Sequence, residues 1–374
     1  MSDLRRAPRR GVESVRMAVV GLGYWGPNLV RNLQELPEAE IVCVCDARPE
    51  ALEAIHRRYP SPSLTTDFEE VLDHTDVEAV AIATPVASHY RLAEAALKAG
   101  KHVFVEKPLA GSYAEALTLI EVARKADRVL MPGHTFLYSP PVDFVSRLIA
   151  SGELGEIYFV STSRVNLGLH QSDVSVIWDL GPHDLSILRY WLDDMPVQVS
   201  AMTRDCIVPG IPDVAFLNLQ FRAGPMAQVE LSWLAPSKLR RTAVIGSKKM
   251  VVYDDTSQEP VRIFDSGVSL RDPETFGEYR LSYRTGDIVS PRIDPTEPLA
   301  LEMRDFCSAV RLGACPRSSA EIGADVVRIV EAADRSIAAG GVPVSIDHAF
   351  AAPAMAVAGS GGRPLAHAME AGGG

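Results

Sequence analysis

No apolar run in this chain approaches the roughly 18 residues a bilayer-spanning helix needs, which argues against a helical membrane protein. Cysteine is scarce: there are five, an odd number, with no C-x-x-C pair, so neither a disulfide framework nor a zinc site is expected. Cys43 and Cys45 alternate with valines and are expected on one strand face as small core residues. Basic residues are in deficit, 37 Lys and Arg against 48 Asp and Glu, for a net charge of −11. That balance argues against a broad nucleic-acid surface, which depends on neutralising phosphates, but permits a local cationic pocket. The basic start (Arg5, Arg6, Arg9 and Arg10 around Pro8) resembles a twin-arginine export signal only superficially, because the apolar segment that must follow is missing. It reads as a frayed tail, and a reducing, cytoplasmic setting is the default expectation.

What is present is a globular balance, 47% hydrophobic and 23% charged. A length of 374 residues exceeds one ordinary core and predicts two domains with a tail at each end. Apolar runs at 15–21, 40–46, 77–84, 102–106 and 129–134 alternate with helical patterns at 27–36, 49–59, 68–73, 90–99 and 113–126. Runs without polar alternation suit strands buried on both faces. Strict strand–helix alternation then gives right-handed βαβ units in a doubly wound parallel sheet. After Pro140 the rhythm changes. A helix at 142–150, a long strand at 157–166 and a helix at 182–192 precede strands at 197–203, 215–221, 227–233, 241–246 and 249–254. Consecutive strands over short turns predict a large, open, mostly antiparallel sheet. Helices at 299–312 and 322–339 close the chain. The expected division is a basic tail at 1–14, a Rossmann domain at 15–138, an α+β domain at 139–348 and an Ala/Gly-rich tail at 349–374.

Gly21-Leu22-Gly23-Tyr24-Trp25-Gly26 is G-x-G-x-x-G, lying directly between an apolar strand and a helix, and Asp46 closes the next strand 20 residues after Gly26. In that context the pattern predicts dinucleotide binding. Gly21 permits the tight turn, Gly23 lets amides approach a pyrophosphate, and Gly26 lets helix and strand pack closely. Tyr24 and Trp25 fall inside the same loop and count among the coenzyme contacts. Asp46 can accept hydrogen bonds from ribose hydroxyls and would repel a 2′-phosphate, so NAD is favoured over NADP; Arg48 softens that preference. Thr84 and Pro85, with His89 one turn into the following helix, are expected at the nicotinamide half, although Thr84 and Ser88 also suit helix capping.

Glu106-Lys107-Pro108 ends the fifth strand, at the edge where a parallel sheet presents its ligand crevice. The motif counts among the coenzyme contacts, and Lys107 is also a candidate catalytic group facing the substrate. Trp178-Asp179-Leu180-Gly181-Pro182-His183-Asp184 is the second element. Gly181-Pro182 predicts a turn into a helix, placing His183 in its first turn, where the helix dipole keeps the imidazole neutral. Asp179 is expected to reach back and orient that ring. His56, His74 and His102 read as ordinary structural residues.

Gly21 to Gly26, Thr84-Pro85, Glu106-Lys107-Pro108 and Asp179-x-x-x-His183 together resemble the glucose–fructose oxidoreductase / inositol dehydrogenase / MocA (Gfo/Idh/MocA) family over roughly 15–339. The resemblance implies a Rossmann domain plus an α/β domain whose open sheet mediates homodimers or homotetramers. It also implies oxidation or reduction of sugar and cyclitol carbons by Lys107, Asp179 and His183, without a metal. His183 would act as general base and Lys107 would steady the substrate oxygen. One departure stands out: many members read D-x-G-x-H-x-x-D, whereas here Asp184 follows His183 directly and Ser186 takes the later place. The runs Ser163-Arg164-Val165-Asn166-Leu167-Gly168, Trp178 to Asp184 (W-D-L-G-P-H-D) and Ser232-Trp233-x-x-Pro236-x-Lys238 together resemble a subgroup acting at C3 of nucleotide-linked N-acetylglucosaminuronic acid. Arg164 and Asn166 then become candidate substrate contacts, Arg164 for a carboxylate or phosphate. Lys238, Arg240 and Arg241 could meet a diphosphate but read rather as solvated strand residues. The expected activity is NAD-dependent dehydrogenation of a sugar, foremost a nucleotide-linked hexose or hexuronate. A deoxysugar ketoreductase or a cyclitol dehydrogenase is the alternative, and a silent cofactor-sensing regulator is the non-enzymatic one.

Overall fold

The computed structural model describes residues 13–168, 170–171, 174–271 and 280–346. The tails expected at 1–14 (Glu13 and Ser14 apart) and 349–374 lie outside the described residues. The first half alternates as the apolar pattern requires: β1 (Val15–Val20), α1 (Gly26–Glu35), β2 (Ala39–Cys45), α2 (Pro49–His56), β3 (Ser63–Thr65), α3 (Phe68–Asp73), β4 (Ala79–Ile82), α4 (Val86–Lys98), β5 (His102–Glu106), α5 (Tyr113–Ala126) and β6 (Leu130–Gly133). The six strands form one parallel sheet in the order β3-β2-β1-β4-β5-β6. All four residues of β4 are buried, as a strand covered on both faces demands. Cys43 and Cys45 are buried on β2, and all five cysteines are free thiols. Burial pushes the Cys45 thiol up to about 12, so it behaves as a small apolar residue. The three-residue β3 was not anticipated; it is too short to show a period.

The second half holds α6 (Pro140–Ala150), β7 (Ile157–Val165), α7 (Val176–Leu192), β8 (Pro196–Arg204), β9 (Val214–Phe221), β10 (Met226–Ser232), β11 (Leu239–Gly246), β12 (Met250–Asp254), β13 (Val261–Arg271), β14 (Arg280–Val289), α8 (Pro298–Leu312), α9 (Ala320–Ala338) and β15 (Val344–Ser345). Nine strands form a sheet in the order β14-β13-β12-β11-β7-β10-β9-β8-β15. Its pairings are antiparallel except β7 with β10. Along β9 the alternation is clean: Ala215, Leu217, Leu219 and Phe221 are buried while Phe216, Asn218 and Gln220 face outward. The long β13–β14 pair was not anticipated.

One expected boundary is corrected. Gly181-Pro182 does not open a helix; α7 starts at Val176 and runs through Pro182. His183 is therefore the eighth residue of α7 and not in its first turn. A Cβ at Gly181 would stand 3.4 Å from the Leu231 side chain, so the glycine lets the helix lie close on β10.

The last two helices join the layers. α8 covers the parallel sheet: Met303, Phe306 and Cys307 belong to its core, Phe306 packs edge-on to Phe104 at 5.9 Å, and Arg311 pairs with Glu78 at 2.7 Å. α9 gives Ala320, Ala324 and Val327 to one core and Val326, Ile329 and Val330 to the other. Among the described residues no helix is long and apolar enough to cross a membrane, and no acidic, histidine or cysteine cluster could hold a metal.

Candidate active site

One cleft of about 1200 Å³ opens where the carboxyl ends of the parallel strands meet α7 and the edge of β7 and β11. Its coenzyme end is built by the glycine loop. Gly21 holds φ +92°, and a Cβ there would come within 2.7 Å of the Thr84 side chain and 2.8 Å of the Ala83 carbonyl. A Cβ on Gly26 would run into the Gly21 carbonyl oxygen, whereas the space beside Gly23 is open to 4 Å. α1 then begins with no side-chain cap and no acid in its first turn, which leaves its amides for an anion. The geometry fits a dinucleotide pyrophosphate. Tyr24 and Trp25 line the cleft with Gly23, as do Thr84, Pro85, Glu106 and Lys107.

Asp46 is buried at the end of β2 and accepts hydrogen bonds from the Leu22 amide at 2.6 Å and the Arg48 amide at 2.9 Å. Burial pushes its carboxyl up, but the Arg48 side chain and these amides outweigh that and hold it below the usual aspartate value. Arg48, expected to soften the coenzyme preference, is ion-paired to Asp46 at 3.0 Å instead. His89 does not reach the cleft. It is buried, with its ring nitrogens 2.9 and 2.8 Å from the carbonyl oxygens of Pro108 and Thr84, so it braces the two cleft loops.

Across from the loop, Lys107, Asp179 and His183 line the same cleft. The Lys107 ammonium donates to the Asp179 backbone carbonyl at 2.7 Å and to its Oδ1 at 3.2 Å. Asp179 Oδ2 accepts from the Trp233 indole at 3.1 Å. The expected pairing of Asp179 with His183 is therefore replaced by one with Lys107: although the two residues stand at i and i+4 of α7, the Asp179 carboxylate is taken up by the ammonium at the end of β5 and by the Trp233 indole. His183 packs edge-on against Phe136 at 5.0 Å, with Nδ1 buried and without a partner among the described residues. Burial, then the charges of Lys107, Arg164 and Arg240, hold its pKa well below the usual imidazole value. The ring is neutral near pH 7, but through burial and cations rather than the helix end.

Arg164 is also corrected. Its guanidinium is buried, pairs with Asp184 at 2.5 Å, lies 4.4 Å over the Phe136 ring and does not line the cleft, while its Nη1 has no partner among the described residues. Asp184 additionally accepts from Thr162 at 2.8 Å. The carboxylate that departs from the family pattern thus clamps α7 to β7 beside His183. Asn166 does line the cleft. Sequence reasoning missed Trp233 as the support of Asp179, Phe136 as the platform shared by His183 and Arg164, and the cleft-lining Arg31–Glu297 pair at 2.5 Å. Their partners lie 28 to 266 residues apart, with no local spacing to betray them.

Burial pushes the Glu106 carboxyl up to about 7, against the nearby Lys107 charge. Its Oε2 accepts from the Lys107 amide at 3.3 Å, and its Oε1 has no partner among the described residues. Glycine loop, strand-end lysine and buried imidazole define an oxidoreductase of the NAD-binding class. Residues 15–134 match the oxidoreductase family with an NAD-binding Rossmann fold (Gfo/Idh/MocA), and 142–252 match the C-terminal domain of the same family. The chain belongs to the Gfo/Idh/MocA family.

Among its relatives is an inositol 2-dehydrogenase of Rhizobium meliloti (strain 1021), 28% identical over 337 residues, which are 87% of this chain and 97% of that protein. A scyllo-inositol 2-dehydrogenase (NAD(+)) of Bacillus subtilis (strain 168) is 27% identical over 347 residues, 89% of this chain and 96% of that one. Among solved structures, GenD2 from gentamicin A biosynthesis in complex with NAD is similar with a TM-score of 0.77 and 26% identity, over 91% of this chain and 99% of that one.

Proposed function

We propose that this protein transfers a hydride between NAD and a secondary carbinol carbon of a sugar or cyclitol. The observation that carries the reading is the meeting, in the cleft of the glycine loop, of an aspartate-held ammonium and a neutral buried imidazole. When bound, NAD supplies the hydride acceptor. His183, uncharged, takes the proton of the substrate hydroxyl. Lys107, aimed by Asp179, donates a hydrogen bond to that same oxygen and stabilises the charge that grows on it. Trp233 fixes Asp179 and hence Lys107.

Within this class we place C3 of a nucleotide-linked hexose or hexuronate first, because a cleft of about 1200 Å³ has room for a long substrate besides the coenzyme. A free inositol is the second reading, supported by the names of two relatives. We further propose assembly through the outer face of the nine-stranded sheet, where Phe159, Met202, Phe216 and Met226 are 44 to 70% exposed. The test is NAD reduction with a panel of nucleotide sugars, free sugars and inositols. Lys107→Met should cut turnover roughly a hundred- to a thousandfold, the scale of losing a transition-state donor, while calorimetry still detects NAD binding. Undiminished turnover in that variant would remove Lys107 from the mechanism.

A further inference from the structure

We propose that Lys238, with Asn166 lining the same cleft, receives a negatively charged substituent of the substrate, a carboxylate or a phosphate, at the outer end of the cleft. The inference rests on the reading of this cleft as a hydride-transfer site and adds the charge of what enters it.

β7 and β11 run antiparallel, with Thr162 opposite Thr242, Arg164 opposite Arg240 and Val165 opposite Leu239. Just beyond that last pair, Asn166 follows β7 and Lys238 precedes β11, and both line the cleft. Since alternate residues share a face, the Thr162–Thr242 and Arg164–Arg240 rungs lie on the side that carries Phe136. The inner rung is closed: Thr242 donates to Thr162 at 3.1 Å, and Thr162 to Asp184. The middle rung has its charges paired, although the buried Arg164 Nη1 has no partner among the described residues. Arg164 is held by Asp184 and Arg240 by Asp255 at 3.0 Å, with both guanidinium groups over the Phe136 ring at 4.4 and 5.7 Å. The outer end is different. Asn166 and Lys238 both line the cleft, and neither side chain has a partner among the described residues. A Cβ at Gly168 would come within 3.3 Å of the Asn166 amide oxygen, so the glycine leaves that amide its space.

The charges of the cleft wall point the same way. Arg31 is paired with Glu297 at 2.5 Å, Lys107 with Asp179 at 3.2 Å and Arg240 with Asp255. Glu106 is the remaining acid, and its carboxyl lies beside Lys107. Lys238 is left as a cation without a counter-charge, on a wall where the other cations have one. Such a group gains little from a neutral polyol. It gains a charge-assisted hydrogen bond from an anionic oxygen, which the Asn166 amide can share. Lys238 is exposed and supports no other part of the fold, so it can be replaced without disturbing the core.

The test uses D-glucuronate as the carboxylate probe, glucose 1-phosphate as the phosphate probe, UDP-glucuronate as a probe with both, and myo-inositol as the neutral one. Turnover is followed with NAD, and probe binding to the enzyme–NADH complex is followed by calorimetry. Lys238→Gln should raise KM and weaken binding of the charged probe roughly ten- to a hundredfold while kcat changes less than about twofold. Lys238→Arg should restore most of the loss, and NADH affinity and myo-inositol turnover should not move. Whichever of the two probes with one anionic group shows the effect identifies the anion. An unmoved KM for charged probes, an equal loss for myo-inositol, or a wild type that oxidises neutral polyols alone would overturn the inference and leave the hydride-transfer reading intact. Failure of every alcohol to reduce NAD would instead overturn that reading and this inference with it.

Discussion

On the coenzyme side of the cleft, the shape comes from six consecutive residues and one aspartate, Gly21 to Gly26 and Asp46, held by backbone sterics and short-range bonds. On the substrate side, each functional group is set by a partner far along the chain: Lys107 by Asp179 72 residues on, Asp179 by Trp233 54 residues on. A locally encoded site tolerates changes elsewhere and fails abruptly within its own loop. A site assembled from distant strands is stable only while the packing beneath it holds.

That contrast is sharpest at Arg164. Arg164→Met strands the Asp184 carboxylate in the interior and should cost about 3–5 kcal/mol of stability in urea unfolding. Arg164→Met combined with Asp184→Leu should recover most of it. An unchanged midpoint for the single variant would show that the clamp contributes nothing.

Glu106 separates the two sides by pH. Its folded pKa of about 7 lies above the ordinary 4.5, so its contribution to stability is present below about pH 4.5 and is lost as pH rises through 7. Glu106→Gln should remove a slope worth ~3 kcal/mol over that window. The check is unfolding free energy against pH for both proteins; parallel curves would mean the carboxyl is not held neutral. Gly26→Ala probes the coenzyme loop, where a methyl meets the Gly21 carbonyl. A loss of roughly 1–3 kcal/mol should appear mainly as weaker NAD binding by fluorescence titration, with the second sheet unaffected. The smallest effect belongs to Trp233→Phe. Removing the indole donor to Asp179 should cost about 1 kcal/mol, a roughly fivefold fall in kcat, with coenzyme affinity intact; a fall in NAD affinity instead would place Trp233 in coenzyme binding.

The same division explains what could be read from the chain. The doubly wound sheet was legible because strands buried on both faces leave unbroken apolar runs, and the glycine loop because its requirement is local spacing. The start of α7 was not. A proline normally opens a helix, but here Pro182 sits well inside one whose far side is fixed by β10 and α9. The β13–β14 pair escaped notice because its strands mix charged, polar and apolar residues without a clean alternation. Arg164 looked like an anion receptor because nothing in the order of residues reveals that Asp184 folds back onto it.

α9 carries a mechanical consequence. Its residues alternate between the two hydrophobic interiors, and at Gly323 a Cβ would stand 2.8 Å from Pro132 and 3.2 Å from Leu109. With so little slack, a rigid swing of one sheet away from the other would have to strip this helix from one of its beds. Heat should therefore melt the two layers in a single step.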